Sequence, residues 1–257
     1  MLLFKYRSLD KASAEFTLKI LSAQEAYFSK PDSFNDPFEF RPRLSLEASK
    51  EEFASYLDGL YKRKCPWLNR QQRKENVAAV LKDKSRNNQS DEAAKVLSAA
   101  MGDISRLCGV YCLSEDPANI LMWSHYADCH RGICLGFNGA ETNPFFGRAQ
   151  RVSYREHYPV ANLIKDHPGS YQDKVILTKA SFWAYEREWR IIEHERGSGI
   201  YRFDKSDLKQ VIFGVKTSRD DIEAVLNVLK DNHLSPQVLR ACLHEERYAI
   251  VLAPYEA

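Results

Sequence analysis

Two glutamates separated by one residue stand out in the segment Tyr185-Glu186-Arg187-Glu188-Trp189-Arg190. In extended backbone, residues i and i+2 project to the same side, so both carboxylates are expected to face one space. Such a pair is costly to bury without compensation. Its use is to let one carboxylate stabilise a cationic transition state while the other handles a proton. The plainer reading is a solvated strand of alternating charge. Near the other end of the chain, Lys5-Tyr6-Arg7 offers a guanidinium fork suited to a phosphate or carboxylate, or simply a cation at a strand edge.

Two further constellations carry polar groups among aromatics. In Phe34-Asn35-Asp36-Pro37-Phe38-Glu39, the residues Asn35, Asp36 and Glu39 are candidate ligand contacts, or the loop is pinned by Asx turns and its aromatic anchors. In Trp123-Ser124-His125-Tyr126-Ala127-Asp128-Cys129-His130, a helix would put His125, Asp128 and Cys129 on one face. Those residue types ligate metals, and with His130 they suggest a metal-dependent hydrolase. A second ligand cluster is missing, however, as is an HExxH sequence, and no metal is assigned. Ser124 and His125 are adjacent, so a helix would splay them apart, and there is no GxSxG elbow for a serine nucleophile.

These residues need elements to hold them. The spacing predicts a strand ending near Arg7, a helix over 13–21, a strand over 26–29 and an irregular loop over 30–40. Residues 44–107 are rich in Ala, Lys, Glu and Leu and predict helices near 48–62, 70–85 and 90–106, an insertion within a single domain spanning 1–257. A strand over 109–113, a helix over 118–129 and a strand over 133–137 follow in close succession. Beyond them come a strand at 150–154, a helix at 171–184, strands at 188–193, 211–214 and 248–252, and a helix at 219–231 opened by Ser218 and Asp221 in a capping box. Uneven interleaving of strands and helices favours an α+β fold.

Composition bounds the function. The 257 residues carry 37 Lys and Arg against 35 Asp and Glu, so the molecule as a whole is no polyelectrolyte and any nucleic-acid contact must be local. The local candidate is the run from Lys62 to Arg86, where Arg63, Lys64, Arg70, Arg73, Lys74, Lys82 and Lys84 face only Glu75 and Asp83 as acids. No apolar run approaches the ~20 residues of a membrane span, and the charged amino end lacks a signal-peptide core, so the expected location is cytoplasmic. The six cysteines are expected to be reduced thiols, mostly buried.

Taken together, KYRS, FSKPDSFNDPFEF, GVYCLSEDPANILMWSHYADCHRGICLGF, WAYEREWRII and VIFGVK resemble the bacterial domain of unknown function 2971 family. That resemblance implies a bacterial setting, with defence among the roles it suggests. More distantly, the order of features resembles the ADP-ribosyltransferase fold. This implies a mixed or antiparallel split-sheet core with a helical insertion, and NAD as substrate. The resemblance implies that Arg7 or Tyr6 serves as the first-strand residue, Arg7 pairing with the pyrophosphate. Ser114 would be the polar residue of a middle strand, and Tyr126 or Phe34 would stack on nicotinamide or hold the ribose. Glu188 would steady an oxocarbenium-like centre and Glu186 would orient or deprotonate the acceptor. His125 and Asn35 complete the candidate set, His125 as a catalytic group and Asn35 as a cofactor contact. The chain departs from that fold's pattern in having no Ser-Thr-Ser triplet. The alternative is a noncatalytic nucleic-acid-binding module using the basic helices.

Overall fold

Alternation along the first strand already defines two sheet faces: Leu3 packs on one side, Phe4 and Tyr6 on the other. The computed structural model describes residues 1–45, 47–82, 108–162, 164–166 and 174–256. Its strands are β1 (Leu2–Arg7), β2 (Glu25–Phe28), β3 (Arg43–Ser45), β4 (Gly109–Ser114), β5 (Ile133–Asn138), β6 (Gln150–Arg151), β7 (Ser153–Arg155), β8 (Val160–Asn162), β9 (Thr178–Ala180), β10 (Glu188–Glu193), β11 (Gly199–Arg202), β12 (Leu208–Phe213), β13 (Gln237–Leu243) and β14 (Ile250–Pro254). Its named helices are α1 (Ala14–Ser22), α2 (Lys50–Lys64), α3 (Arg70–Lys82), α4 (Ile120–Tyr126) and α5 (Arg219–Asp231).

Eight strands form one mixed sheet in the order β14-β13-β12-β5-β1-β4-β10-β6. Neighbours are antiparallel except β12 and β13, which run parallel across the α5 crossover. On one face, Ile20 and Leu21 of α1 and Ile222, Val225 and Leu229 of α5 pack with Leu3, Leu135, Phe137, Val211 and Phe213. On the other, Met122 and Trp123 of α4 cover Phe4, Tyr6, Cys134 and Ile212. An α+β architecture is therefore seen. Short pairs β2–β11, β3–β8 and β7–β9 lie outside the main sheet.

The sheet is thin at one place. β1 pairs with β5 from Leu2↔Asn138 to Arg7↔Ile133, but with β4 only at Phe4↔Ser114. The eight strands form one mixed sheet, splayed at this seam. Past that pair, the Nζ of Lys5 donates to the Cys112 carbonyl oxygen at 2.8 Å, a side chain satisfying an acceptor that the ladder leaves over.

Several expected boundaries shift. The helix expected over 118–129 is α4, which stops at Tyr126 because Asp128, Cys129 and His130 all take left-handed backbone. Asn119 caps its start, accepting from the amides of Leu121 and Met122. Of the helix expected over 171–184, residues 174–176 are helical, and beyond them it gives way to β9, which pairs in parallel with β7, and to a 3₁₀ turn over Ser181–Glu186. Residues 171–173 and the helix expected over 90–106 lie outside the described residues, as do residues 83–86 of the basic run. The strand at 150–154 is divided into β6 and β7, and β3, β8, β11 and β13 were not expected. Ser218 caps α5 by accepting from Asp221 N, and donates its own hydroxyl to the Asp221 carboxylate. All six cysteines are free; Cys108 and Cys134 are buried, and Cys129 is exposed.

Candidate active site

The seam between β1 and β4 opens into a cavity of about 390 Å³. Eight of the nine candidate residues border it: Tyr6, Phe34, Asn35, Ser114, His125, Tyr126, Glu186 and Glu188. Arg7 does not. Its Nε reaches the Thr17 hydroxyl of α1 at 3.3 Å, and the β1 cation that enters the cavity wall is Lys5. Lys5 and Arg7 share a strand face, but Arg7 stands one pleat further from the opening.

Glu186 and Glu188 converge as expected, though not through extended backbone. Glu186 ends the 3₁₀ turn, Arg187 adopts left-handed φ of 46°, and Glu188 begins β10. The turn is fastened from β4 and α4. The Ser114 hydroxyl donates to the Glu186 carbonyl at 2.6 Å and accepts from Asp116 N. Glu115 N donates to the Arg187 carbonyl, and the Asn119 amide donates to the Tyr185 carbonyl. Tyr154 accepts from Glu188 N at 2.7 Å. Ser114 therefore acts on the backbone that presents the acids.

Both carboxylates are buried, and two buried cations answer them. Arg190, with no solvent exposure, forks onto Glu188 with two contacts of 2.8 Å and also binds Glu39. Lys179 Nζ lies 2.5 Å from Glu186, 3.1 Å from Glu39 and 3.3 Å from Glu188. Tyr126 donates its phenol to Glu186 at 2.6 Å. Three carboxylates thus share two cations, leaving one negative charge, with Lys5 across the seam. Phe34 and Phe40 meet edge to face and stack against the Arg190 guanidinium, at 5.4 and 5.2 Å.

This packing separates the two acids. Burial alone raises the Glu188 carboxyl, but Arg190 and Lys179 outweigh it and hold Glu188 well below the usual range. For Glu186 burial wins: its pKa lies above the ordinary value, against the pull of Lys179 and with a further push from Glu188. Burial pushes the Tyr126 phenol up, and the Glu186 charge adds to that. Lys179 is desolvated yet raised by Glu188, Glu186 and Glu39. Burial lowers Lys5. The packing thus pushes the two carboxyl groups apart, Glu188 toward its ionised form and Glu186 toward its protonated one.

The remaining candidates have plain positions. Tyr6 packs edge-on against Trp123 and donates to the Asp116 carbonyl at 2.6 Å. His125 is exposed, within ring contact of Tyr126, Trp183 and Tyr185. The proposed metal group of His125, Asp128, Cys129 and His130 is not seen: the helix ends before Asp128, His130 Nε2 meets Ser124 at 3.1 Å, and no cluster among the described residues could hold a metal ion. Lys179 and Arg190 were missed as site residues. Lys179 sat inside an expected helix, and Arg190 read as one charge of an alternating strand, although its place two residues after Glu188 was a usable signal.

The described part of the basic run lies on α2, α3 and the turn between them. Lys62 and Arg73 pair with Asp58, while Arg63, Lys64, Arg70, Lys74 and Lys82 are exposed, and Trp67 in the turn is 75% exposed. Among the described residues no helix is long and apolar enough to cross a membrane.

Comparison with known proteins gives one result. Searches of curated proteins and of solved structures returned no match. A family model described as "Protein of unknown function (DUF2971)" matches residues 122–191, which run from α4 to β10 and include Tyr126, Lys179, Glu186, Glu188 and Arg190. That match covers the stretch that supplies both acids of the cavity, and over it the chain is similar to the DUF2971 family.

Proposed function

We propose that the cavity binds the nicotinamide riboside end of NAD and breaks its glycosidic bond, making the protein an ADP-ribosyltransferase-like enzyme, or an NAD glycohydrolase when water is the acceptor. The observation that carries this reading is the convergence of β1, β4, α4 and the Glu186–Glu188 turn on one cavity that presents two carboxylates. As the bond between ribose C1′ and the ring nitrogen breaks, its electron pair leaves with nicotinamide and positive charge grows on the ribose. Glu188, locked in its ionised form, is a fixed anion that meets that charge without reorganisation. An acceptor hydroxyl then attacks C1′ and gives its proton to Glu186. Tyr126 holds Glu186 in place, and Lys5 on the opposite wall suits a phosphate oxygen.

The test is nicotinamide release from NAD by the purified protein. Glu186→Gln is expected to lower the rate ~10²-fold or more while the unfolding midpoint stays close to that of the parent. Tyr126→Phe is expected to lower it less. An unmodified protein that neither binds NAD nor releases nicotinamide, or a Glu186→Gln variant of undiminished rate, removes the reading.

A second reading, noncatalytic nucleic-acid binding through α2 and α3, is favoured by the exposed Trp67 among Lys64, Arg70 and Lys74, which form no ion pair with a described residue. It expects affinity that falls steeply with salt and is lost on neutralising Lys64, Arg70 and Lys74 together.

A further inference from the structure

A second, larger opening of about 940 Å³ adjoins the acid cavity, and Asn35 and Lys179 belong to the walls of both. Its other walls come from the loop after β2 and from β3, β7, β8 and the 3₁₀ turn. Two kinds of side chain dominate its rim. Arg41, Arg43 and Arg155 are exposed, and none of them forms an ion pair with a described residue. Phe182 is 90% exposed, Phe38 62% and Tyr158 46%. Large apolar rings held in water beside unpaired guanidinium groups are a liability for solubility unless something covers them.

A third observation narrows what that is. Asp36 is 7% exposed, and its Oδ1 accepts from Phe38 N, but its Oδ2 is buried with no hydrogen-bond partner among the described residues. An unpaired buried acceptor in a binding wall calls for a donor from the ligand. The complementary molecule therefore carries anionic oxygens for forked guanidinium groups, flat faces for the exposed rings, and N–H or O–H donors. Nucleotides joined in an unpaired strand meet all three demands, whereas a duplex keeps its base faces stacked inside.

We propose that this groove binds single-stranded nucleic acid, the arginines taking phosphates and Phe38, Phe182 and Tyr158 taking bases. The proposal deepens the reading of the acid cavity, on which it rests for the chemistry: it names the class of acceptor, and it places that strand where it borders Lys179 and, through it, Glu186. The transfer would form a bond from a nucleotide nitrogen or oxygen to ribose C1′, with nicotinamide leaving with its electron pair and the acceptor's proton passing to Glu186.

The experiment is fluorescence anisotropy of labelled single-stranded DNA and RNA oligonucleotides of about ten nucleotides, without NAD, across a salt series. Tight binding at low salt is expected, with the slope of log affinity against log salt reduced by ~0.7 for each of Arg41→Ala, Arg43→Ala and Arg155→Ala. Phe182→Ala is expected to weaken binding roughly tenfold. A duplex of the same sequence bound as tightly as the single strand overturns the proposal. So does affinity untouched by the arginine and Phe182 substitutions, or lost only when Lys64, Arg70 and Lys74 are neutralised. Because the groove is read without NAD, failure to release nicotinamide overturns the cavity reading and the acceptor role that rests on it, and leaves strand binding by the groove to the anisotropy result.

Discussion

Arg190 carries its charge without touching solvent, held between Glu188 and Glu39. Breaking such a cluster by removing one partner strands the others in a poorly solvating interior. Arg190→Met is accordingly expected to cost ~3–5 kcal/mol, read as a shift of the urea midpoint with unchanged slope. The same cluster sets an acid limb. Glu188 has a lowered folded pKa, so its contribution is fully present above the ordinary carboxylate value of 4.5 and is lost as pH falls below it. Glu186 is raised, so its stabilising share is present below 4.5 and lost as pH rises through its folded pKa. The wild-type protein should therefore lose stability as pH falls from 4.5, more steeply than Arg190→Met; parallel pH profiles in urea denaturation would contradict this. At this scale the sequence was informative: the Glu-x-Glu spacing and the aromatic-flanked loop pointed to Glu186, Glu188, Phe34 and Asn35, which line one cavity. It did not reveal that Lys5 and not Arg7 lines the opening, because alternation gives the side of a strand on which a residue lies, not its depth along the seam.

Among the elements, α4 and the 3₁₀ turn work as a pair. Asn119 caps α4 with its side-chain oxygen and holds the Tyr185 carbonyl with its nitrogen. Asn119→Ala should thus cost ~1–2 kcal/mol, at the upper end for an N-cap because two unions are lost. It should also lower any nicotinamide release, whereas Ser49→Ala at the start of α2 should cost ~1 kcal/mol and leave release unchanged; thermal unfolding and the release assay together check both. The start of α5 was legible from its Ser218 cap, and core strands from their apolar runs, as with 109–113 and 133–137. Helix ends were not. Nothing local in Asp128-Cys129-His130 announces three left-handed residues; they are imposed by tertiary contacts such as His130 N to the Trp123 carbonyl and Lys216 N to the His130 carbonyl. Likewise β9 reads as helix in isolation and becomes strand only because β7 supplies a parallel partner.

For the molecule as a whole, a ligand that binds only the folded state raises stability by mass action. NAD at 100 times its dissociation constant should add ~2.7 kcal/mol, visible as a rise in the unfolding midpoint that Glu186→Gln or Lys5→Met diminishes. No rise with NAD at millimolar concentration would count against the proposed occupant. The splayed seam bears on how any occupant arrives. It lies in the interior of the sheet: β1 is zipped to β5 along its length and β4 to β10 along its own, so both lips of the opening are braced from behind. Neither can swing like a flap. A molecule admitted there is met by a preset slot, and hydrogen–deuterium exchange should show the flanking strands equally protected whether the slot is filled or empty.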